Sequence, residues 1–282
     1  MNHPPLPDIV LEPIVRLALQ EDLQPAGDVT VDAVIAPGER LKARVRARQP
    51  GIVAGIDAGL LSLRMIDPSV RTDVCKGDGA DVEAGEDILQ LDGPARSILM
   101  AERTMLNFIG HCSGIATRAR AYVNAVIHAR AKITCTRKTT PGLRALEKRA
   151  ARLGGATNHR FSLADAILIK DNHIAAAGGV AEALRRAKAQ AGHMRVIEIE
   201  VDTLAQFCEA LPLHPDCVLL DNMSTADLRT AADMARGGVI LEASGGVRLE
   251  TVRDIADTGV DYISVGAITH AAGRLDIGLD AF

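Results

Sequence analysis

Residues 196–246 read VIEIEVDTLAQFCEALPLHPDCVLLDNMSTADLRTAADMARGGVILEASGG. Three short apolar runs punctuate this stretch: VIEI (196–199), VLL (218–220) and VILEA (239–243). Between them, 203–211 and 224–236 place apolar residues at helical spacing. Strands that are nearly all apolar and alternate with amphipathic helices predict a parallel sheet covered by helices. The pattern extends in both directions. ITCT (133–136) and AILI (166–169) precede it, YISV (262–265) follows it, and 142–153, 179–191 and 249–258 have helical periodicity. The strand ends favour a barrel over an open sheet. They carry Arg137/Lys138, Lys170, Glu200, Asp221, Ser244 and Gly266. Polar residues at the ends of several strands are what the C-terminal rim of a (β/α) barrel uses, whereas an open sheet concentrates its site at one switch point. No GxGxxG follows a first strand, so dinucleotide binding is disfavoured.

Upstream, the texture is less regular. Residues 8–23 have helical periodicity with Asp8 as the expected N-cap. LKARVRAR (41–48) alternates apolar and basic residues and predicts a half-exposed strand. Residues 94–131 read as long helical stretches, with a break expected near Ser113-Gly114. This predicts an N-terminal domain over 1–112 and a barrel domain over 113–274.

At 282 residues and 48% hydrophobic, the chain is long and apolar enough to fold around a substantial core. Its net charge of -4 and 2% aromatic content argue against a nucleic-acid binder that stacks bases on rings. No apolar run approaches the roughly 18 residues of a membrane span. No basic flank and apolar run that would mark a signal peptide opens the sequence. Five cysteines, an odd number without a CxxC pair, fit a reducing cytoplasm.

Against that acidic background, Arg137–Arg160 carries a net +6 over 24 residues. Such an excess predicts a site for something strongly anionic. Arg137, Lys138, Arg160 and Lys170, with His159 beside them, form a cationic sector of the expected rim. Glu200 and Asp221 form an anionic one, suited to Mg²⁺ held together with substrate phosphates. Glu198 shares a strand face with Glu200, and Glu200, nearer the rim, is the one expected to reach a ligand. Ser244-Gly245-Gly246 and Gly266-Ala267 lie at the last two strand-to-helix junctions, where barrels often hold a phosphate. Arg144, Lys148 and Arg152, spaced i, i+4 and i+8, read as one solvated or subunit-facing stripe, with Arg149 alongside. His159 reads equally as a loop cap, and His173 as a residue that stabilises its turn. A Schiff-base aldolase using Lys170 is a competing reading, as is a binding protein without catalysis. The latter does not explain two phosphate loops and a charged rim.

Several long motifs resemble the quinolinate phosphoribosyltransferases: GDVT (27–30), ARQPGIVAG (47–55), ERTMLNFIGHCSGIAT (102–117), TRKTTPGLRALEK (136–148), GGATNHR (154–160), ILIKDNHI (167–174), LLDNMS (219–224), EASGG (242–246) and DYISVGAITH (261–270). The resemblance covers nearly the whole chain. It implies an N-terminal α/β sandwich domain and a C-terminal incomplete (β/α) barrel of six to seven parallel strands, ATNHR being a short seventh. It also implies that the tail 275–282 packs on the first domain. The implied reaction transfers the 5-phosphoribosyl group of phosphoribosyl pyrophosphate to quinolinate, with release of CO₂ and pyrophosphate, in NAD biosynthesis. Mg²⁺ is the implied cofactor. A cytoplasmic homodimer, or a higher oligomer, is the implied assembly, in which Arg103 reaches the neighbour's site. Arg137, His159, Arg160 and Lys170 are expected around the quinolinate carboxylates. Thr136, Lys138, Glu200, Asp221, Ser244, Gly245, Gly246, Val265, Gly266, Ala267 and His270 are expected around phosphoribosyl pyrophosphate and its metal. Lys170, Glu200 and Asp221 carry the expected catalytic roles, with Lys170 near the carbanion left by decarboxylation. Ala156, Arg149 and Ser162 depart from the family's usual residues. A related protein associated with molybdenum transport is the alternative within the fold.

Overall fold

The structure, a computed structural model, describes residues 4–282. Its strands, in chain order, are β1 (Arg40–Ala47), β2 (Gly51–Ile52), β3 (Arg71–Val74), β4 (Asp81–Val82), β5 (Asp87–Pro94), β6 (Lys132–Thr134), β7 (Ile167–Ile169), β8 (Ile197–Val201), β9 (Cys217–Asp221), β10 (Ile240–Ser244), β11 (Tyr262–Ser264) and β12 (Ile277–Ala281). The chain divides into two compact units. The first comprises 1–120, 139–155 and 271–282; the second comprises 121–138 and 156–270.

In the first unit, β12, β1, β5 and β3 form an antiparallel sheet in that order. The alternation in 41–48 decides its faces. Ala43, Val45 and Ala47 are buried, and Val45 and Ala47, with Ile88, Leu89 and Leu91, share one core with Leu63, Ile98, Met105 and Ile109 from helices Ile56–Ile66 and Ala95–Ala125. The intervening arginines turn to the other face and pair with acids there: Arg40 with Asp92 at 2.6 Å, Arg46 with Asp87 at 2.9 Å, and Arg48 with Asp280. The tail therefore supplies an edge strand of this sheet.

Two expectations change here. Helix Asp8–Leu23 has Pro7 at its N-cap, and Asp8 is instead its first residue, paired with Arg64. The break expected at Ser113-Gly114 is absent, since helix Ala95–Ala125 runs through it. Both residues serve packing. Ser113 Oγ accepts from Ala54 N at 2.9 Å, and a Cβ on Gly114 would overlap the Gly273 carbonyl. The small residue is there for close backbone approach, not to end a helix. Gly114→Ala is accordingly expected to cost about 1–3 kcal/mol through overpacking, read as a lower urea midpoint with an unchanged slope.

The second unit holds six parallel strands in the order β6-β11-β10-β9-β8-β7. The first strand in sequence pairs with the last, Ile133 opposite Ile263, so the sheet curls into a barrel. Its seam lies between β6 and β7. There ATNHR contributes one parallel bridge, Thr157 to Thr134. Two of its helices begin at side-chain caps: Thr203 Oγ1 accepts from Gln206 N and Ser224 Oγ from Asp227 N. Alternation again sorts the residues. Ile199, Val201, Val218, Leu220, Leu241 and Ala243 share the faces opposite Glu198, Glu200, Leu219, Asp221, Glu242 and Ser244.

Helix Arg144–Leu153 belongs to the first unit, although its flanks belong to the second. This overturns the solvated-stripe reading. Lys148 is 1% exposed, and Arg149 is paired with Asp78 at 2.5 Å and Asp57 at 3.5 Å. Arg144 donates to Thr139 Oγ1 at 3.0 Å, and of the four only Arg152 is exposed. Glu147 is fully buried, with one carboxylate oxygen on His111 Nε2 at 2.9 Å and the other accepting from Thr140 N at 3.1 Å. A helix this charged is buried because its charges are paired inside the unit, which spacing alone does not reveal.

Candidate active site

A cavity of about 390 Å³ opens among the C-terminal ends of the barrel strands. Thr136, Arg137 and Lys138 enter it from the loop after β6, and His159 and Arg160 from the segment after the Thr157 bridge. Lys170 enters from the end of β7, Glu200 from β8, Asp221 from β9 and Ser244 from β10. The two ends of the basic stretch are thus joined by backbone. Cys135 N donates to Thr157 O at 3.1 Å, and Thr157 N donates to Ile133 O at 2.8 Å.

The cations are arranged for an anion. Arg137 and Arg160 each bury an Nε without a hydrogen-bond partner. Burial, and after it the charge of Arg137, lowers the pKa of Arg160. The Arg160 guanidinium is also placed by Nη1, which donates to Ala166 O at 3.0 Å. Two guanidiniums that repel across a cavity and keep orphaned donors favour a bound carboxylate between them. Lys170 Nζ lies 2.6 Å from Glu200 Oε2. His173 Nδ1 accepts from Lys170 N at 2.9 Å, so His173 fixes the turn that carries Lys170.

The glycine loops lie beside the same rim. Gly245 has φ +89°, and a Cβ there would overlap the side chain and backbone of Asn222, next to Asp221. Only glycine allows that approach. Gly246 adjoins it with φ +57°. A Cβ on Gly266 would stand 3.2 Å from both Lys138 Cδ and the His270 ring, and Thr269 Oγ1 donates to Lys138 O at 2.7 Å. Val265 is buried and its N–H is spent on Thr134 O at 2.9 Å, while Ala267 opens the short helix Ala267–His270. Arg103 is exposed on helix Ala95–Ala125 in the first unit.

Glu242 lines the cavity too, and sequence reasoning passed over it. Its signal was an acid inside the otherwise apolar run VILEA. Glu242, Glu198 and His159 bring their oxygen and nitrogen atoms within 4.8 Å of one another. His159 Nδ1 accepts from Arg160 N at 2.8 Å, so the ring proton sits on Nε2, 3.1 Å from Glu198 Oε2. That hydrogen bond occupies the lone-pair direction a metal would need, so the trio is read as a proton-sharing cluster rather than a metal centre.

Comparison with known proteins agrees with this picture. The model for the quinolinate phosphoribosyl transferase N-terminal domain matches residues 28–113, and that for the C-terminal domain matches 115–280. The first match ends at 113 and the second begins at 115, whereas the contacts of the chain divide it at Arg120, within the long helix. A nicotinate-nucleotide pyrophosphorylase [carboxylating] of Mycobacterium leprae is 45% identical over 271 residues, covering 94% of this chain and 95% of that protein. A quinolinate phosphoribosyltransferase [decarboxylating] of Nicotiana tabacum is 41% identical, covering 99% of this chain and 84% of that one. The solved nicotinate-nucleotide pyrophosphorylase of Francisella tularensis superposes with a TM-score of 0.94 at 38% identity, with full coverage of both chains. These names support the quinolinate reaction and not the molybdenum-associated alternative.

Proposed function

The chain belongs to the quinolinate phosphoribosyltransferase family, and from that premise we propose that its barrel cavity is where quinolinate and phosphoribosyl pyrophosphate meet. The enzyme transfers the 5-phosphoribosyl group to the ring nitrogen of quinolinate and releases CO₂ and pyrophosphate, leaving nicotinate mononucleotide. The observation that carries the site is the pair Arg137 and Arg160, each with a buried, unpartnered Nε in one cavity. Quinolinate is a dianion, and a planar guanidinium fork matches a carboxylate. His159 holds Arg160 through its backbone. Lys138, against the Gly266 turn, and the Ser244-Gly245-Gly246 loop face the phosphates.

Glu200 and Asp221, on neighbouring strands, are a sparse pair of oxygen donors. Such a pair suits Mg²⁺, which keeps most of its coordination for water and substrate phosphates. When bound there, the ion would neutralise charge on the departing pyrophosphate. The same carboxylates face the sugar carbon as its bond to pyrophosphate loosens, and they favour the positive charge that develops. Lys170, held by Glu200, keeps a cation at the quinolinate end without needing a second anion.

Five free thiols among the described residues support a reducing, cytoplasmic setting. No helix among them is long and apolar enough to cross a membrane. An exposed Arg103, on a helix outside the barrel, supports a homodimer in which it completes the neighbour's site. Purified protein with quinolinate, phosphoribosyl pyrophosphate and Mg²⁺ is expected to yield nicotinate mononucleotide and CO₂. Product from nicotinate but not from quinolinate would refute the assignment.

A further inference from the structure

Decarboxylation leaves an electron pair on C2 of the pyridinium ring, and that carbon must gain a proton. The cations of the cavity are poor donors. Arg137 and Arg160 do not give up protons in proteins, and the Lys170 ammonium is held by Glu200. Lys138 and His159 line the cavity too, but Lys138 lies against the Gly266 turn and His159 spends its Nε2 proton on Glu198, which leaves the acids at the cavity floor.

Two carboxyls approach His159 from different strands. Nε2 lies 3.1 Å from Glu198 Oε2 and 3.6 Å from Glu242 Oε1. Glu198 is served on both oxygens, by the His159 Nε2–H and by the Cys217 thiol at 3.4 Å. Glu242 is 5% exposed, and its Oε1 has no hydrogen-bond partner. Two carboxylates this close in a dry site do not both stay ionised, and the proton goes to the one with fewer donors. Burial, then the charge of Glu198, pushes Glu242 up to about 7, and His159 and Ser264 oppose that only in part. Glu242 also borders the cavity, whereas Glu198 lies behind it. The floor thus holds a carboxyl that borders the cavity and holds its proton up to about neutral pH, with its unpartnered Oε1 on the side of His159.

We propose that Glu242 is the acid that protonates C2 after CO₂ departs, a step that rests on the quinolinate reaction assigned above. The bond between C2 and its carboxylate breaks, and the electron pair stays on C2. The Glu242 O–H bond then breaks, and its proton joins C2. Glu242 is left as a carboxylate beside Glu198, and that repulsion draws a proton back from solvent once product leaves. No oxidant or reductant takes part.

The test separates the two halves of the reaction. Wild-type and Glu242→Gln enzymes, with phosphoribosyl pyrophosphate, Mg²⁺ and carboxyl-labelled quinolinate, are quenched rapidly, and pyrophosphate and labelled CO₂ are timed in the first turnover. The wild type is expected to release both in step. Glu242→Gln is expected to release pyrophosphate within about threefold of the wild-type rate while net CO₂ release falls about 10²-fold, the usual weight of a general acid, because a C2 electron pair left without a proton recaptures CO₂ before it escapes. N-phosphoribosylated quinolinate then accumulates. Equal slowing of both products, or undiminished CO₂ release, overturns the proposal. If Glu242→Gln does not fold, the same ratio is read in Glu242→Asp, whose shorter acid recedes from the ring. Delayed CO₂ supports the proposal there, and products in step overturn it. A wild-type enzyme that makes no nicotinate mononucleotide would instead sink the functional reading beneath it.

Discussion

Arg160→Met is expected to lower kcat/KM for quinolinate by about 10²- to 10³-fold while the protein keeps its thermal midpoint. Truncating one partner of a buried charge-assisted contact costs about 2–5 kcal/mol, and each 1.36 kcal/mol is tenfold. Stability responds differently. Without substrate, Arg160 sits half-buried beside Arg137 with an unpartnered Nε, and its Nη1 bonds to Ala166 O. Methionine forfeits that bond, worth about 1 kcal/mol, and relieves both the repulsion and the desolvation. A midpoint within about 3 °C of wild type is therefore expected. Calorimetry alongside steady-state kinetics reads both quantities. A variant that loses activity and stability together would make Arg160 a structural residue. Arg137→Met should behave alike, and the double variant should lose less than the product of the two effects, because both guanidiniums serve one anion.

The second large effect is expected far from that anion, at Arg149→Met. Arg149 is the cation between Asp78 and Asp57, and all three side chains are largely buried. Breaking a buried pair from one side costs about 3–5 kcal/mol, because it leaves charge without compensation. A fall in thermal midpoint on the order of 10 °C follows. The pH dependence carries a definite sign. Burial already raises the pKa of Asp78, outweighing the lowering by Arg149. A carboxyl raised in the fold contributes stability below its unfolded pKa and loses it as pH rises through the folded value. Removing Arg149 raises Asp78 further, so the deficit of the variant should shrink as pH falls from about 7 to 5. Adding Asp78→Asn should recover part of the loss at neutral pH. A deficit independent of pH would mean that packing, not charge, explains Arg149.

These two arginines, Arg149 and Arg160, lie eleven positions apart in one basic stretch. The barrel was legible because its outward-facing residues are apolar: each of the six strands was predicted within a few residues, and the rim charges at their ends followed from counting. The interior was not. VIEIEV and VILEA place acids on the face that lines the cavity, and a strand pattern does not say whether a polar face meets water or a closed floor. Glu242 and the buried state of Glu198 therefore needed the fold. Arg149 and Lys148 were missed for the opposite reason. Their spacing matches a solvated stripe, and the partners of Arg149, Asp57 and Asp78, come from a part of the chain that no helical period can connect to it.

The connectivity of the first unit bears on how the protein is made. Synthesis delivers β1 early, yet its partner β12 comes more than two hundred residues later. The barrel strands, which end before His270, all emerge in between. A nascent chain can close its barrel while one edge of β1 is still open, and an open, apolar-backed edge is a template for pairing with other chains. For this protein the hazardous interval of biogenesis lies between the last barrel strand and β12, when a finished barrel still waits for a single strand.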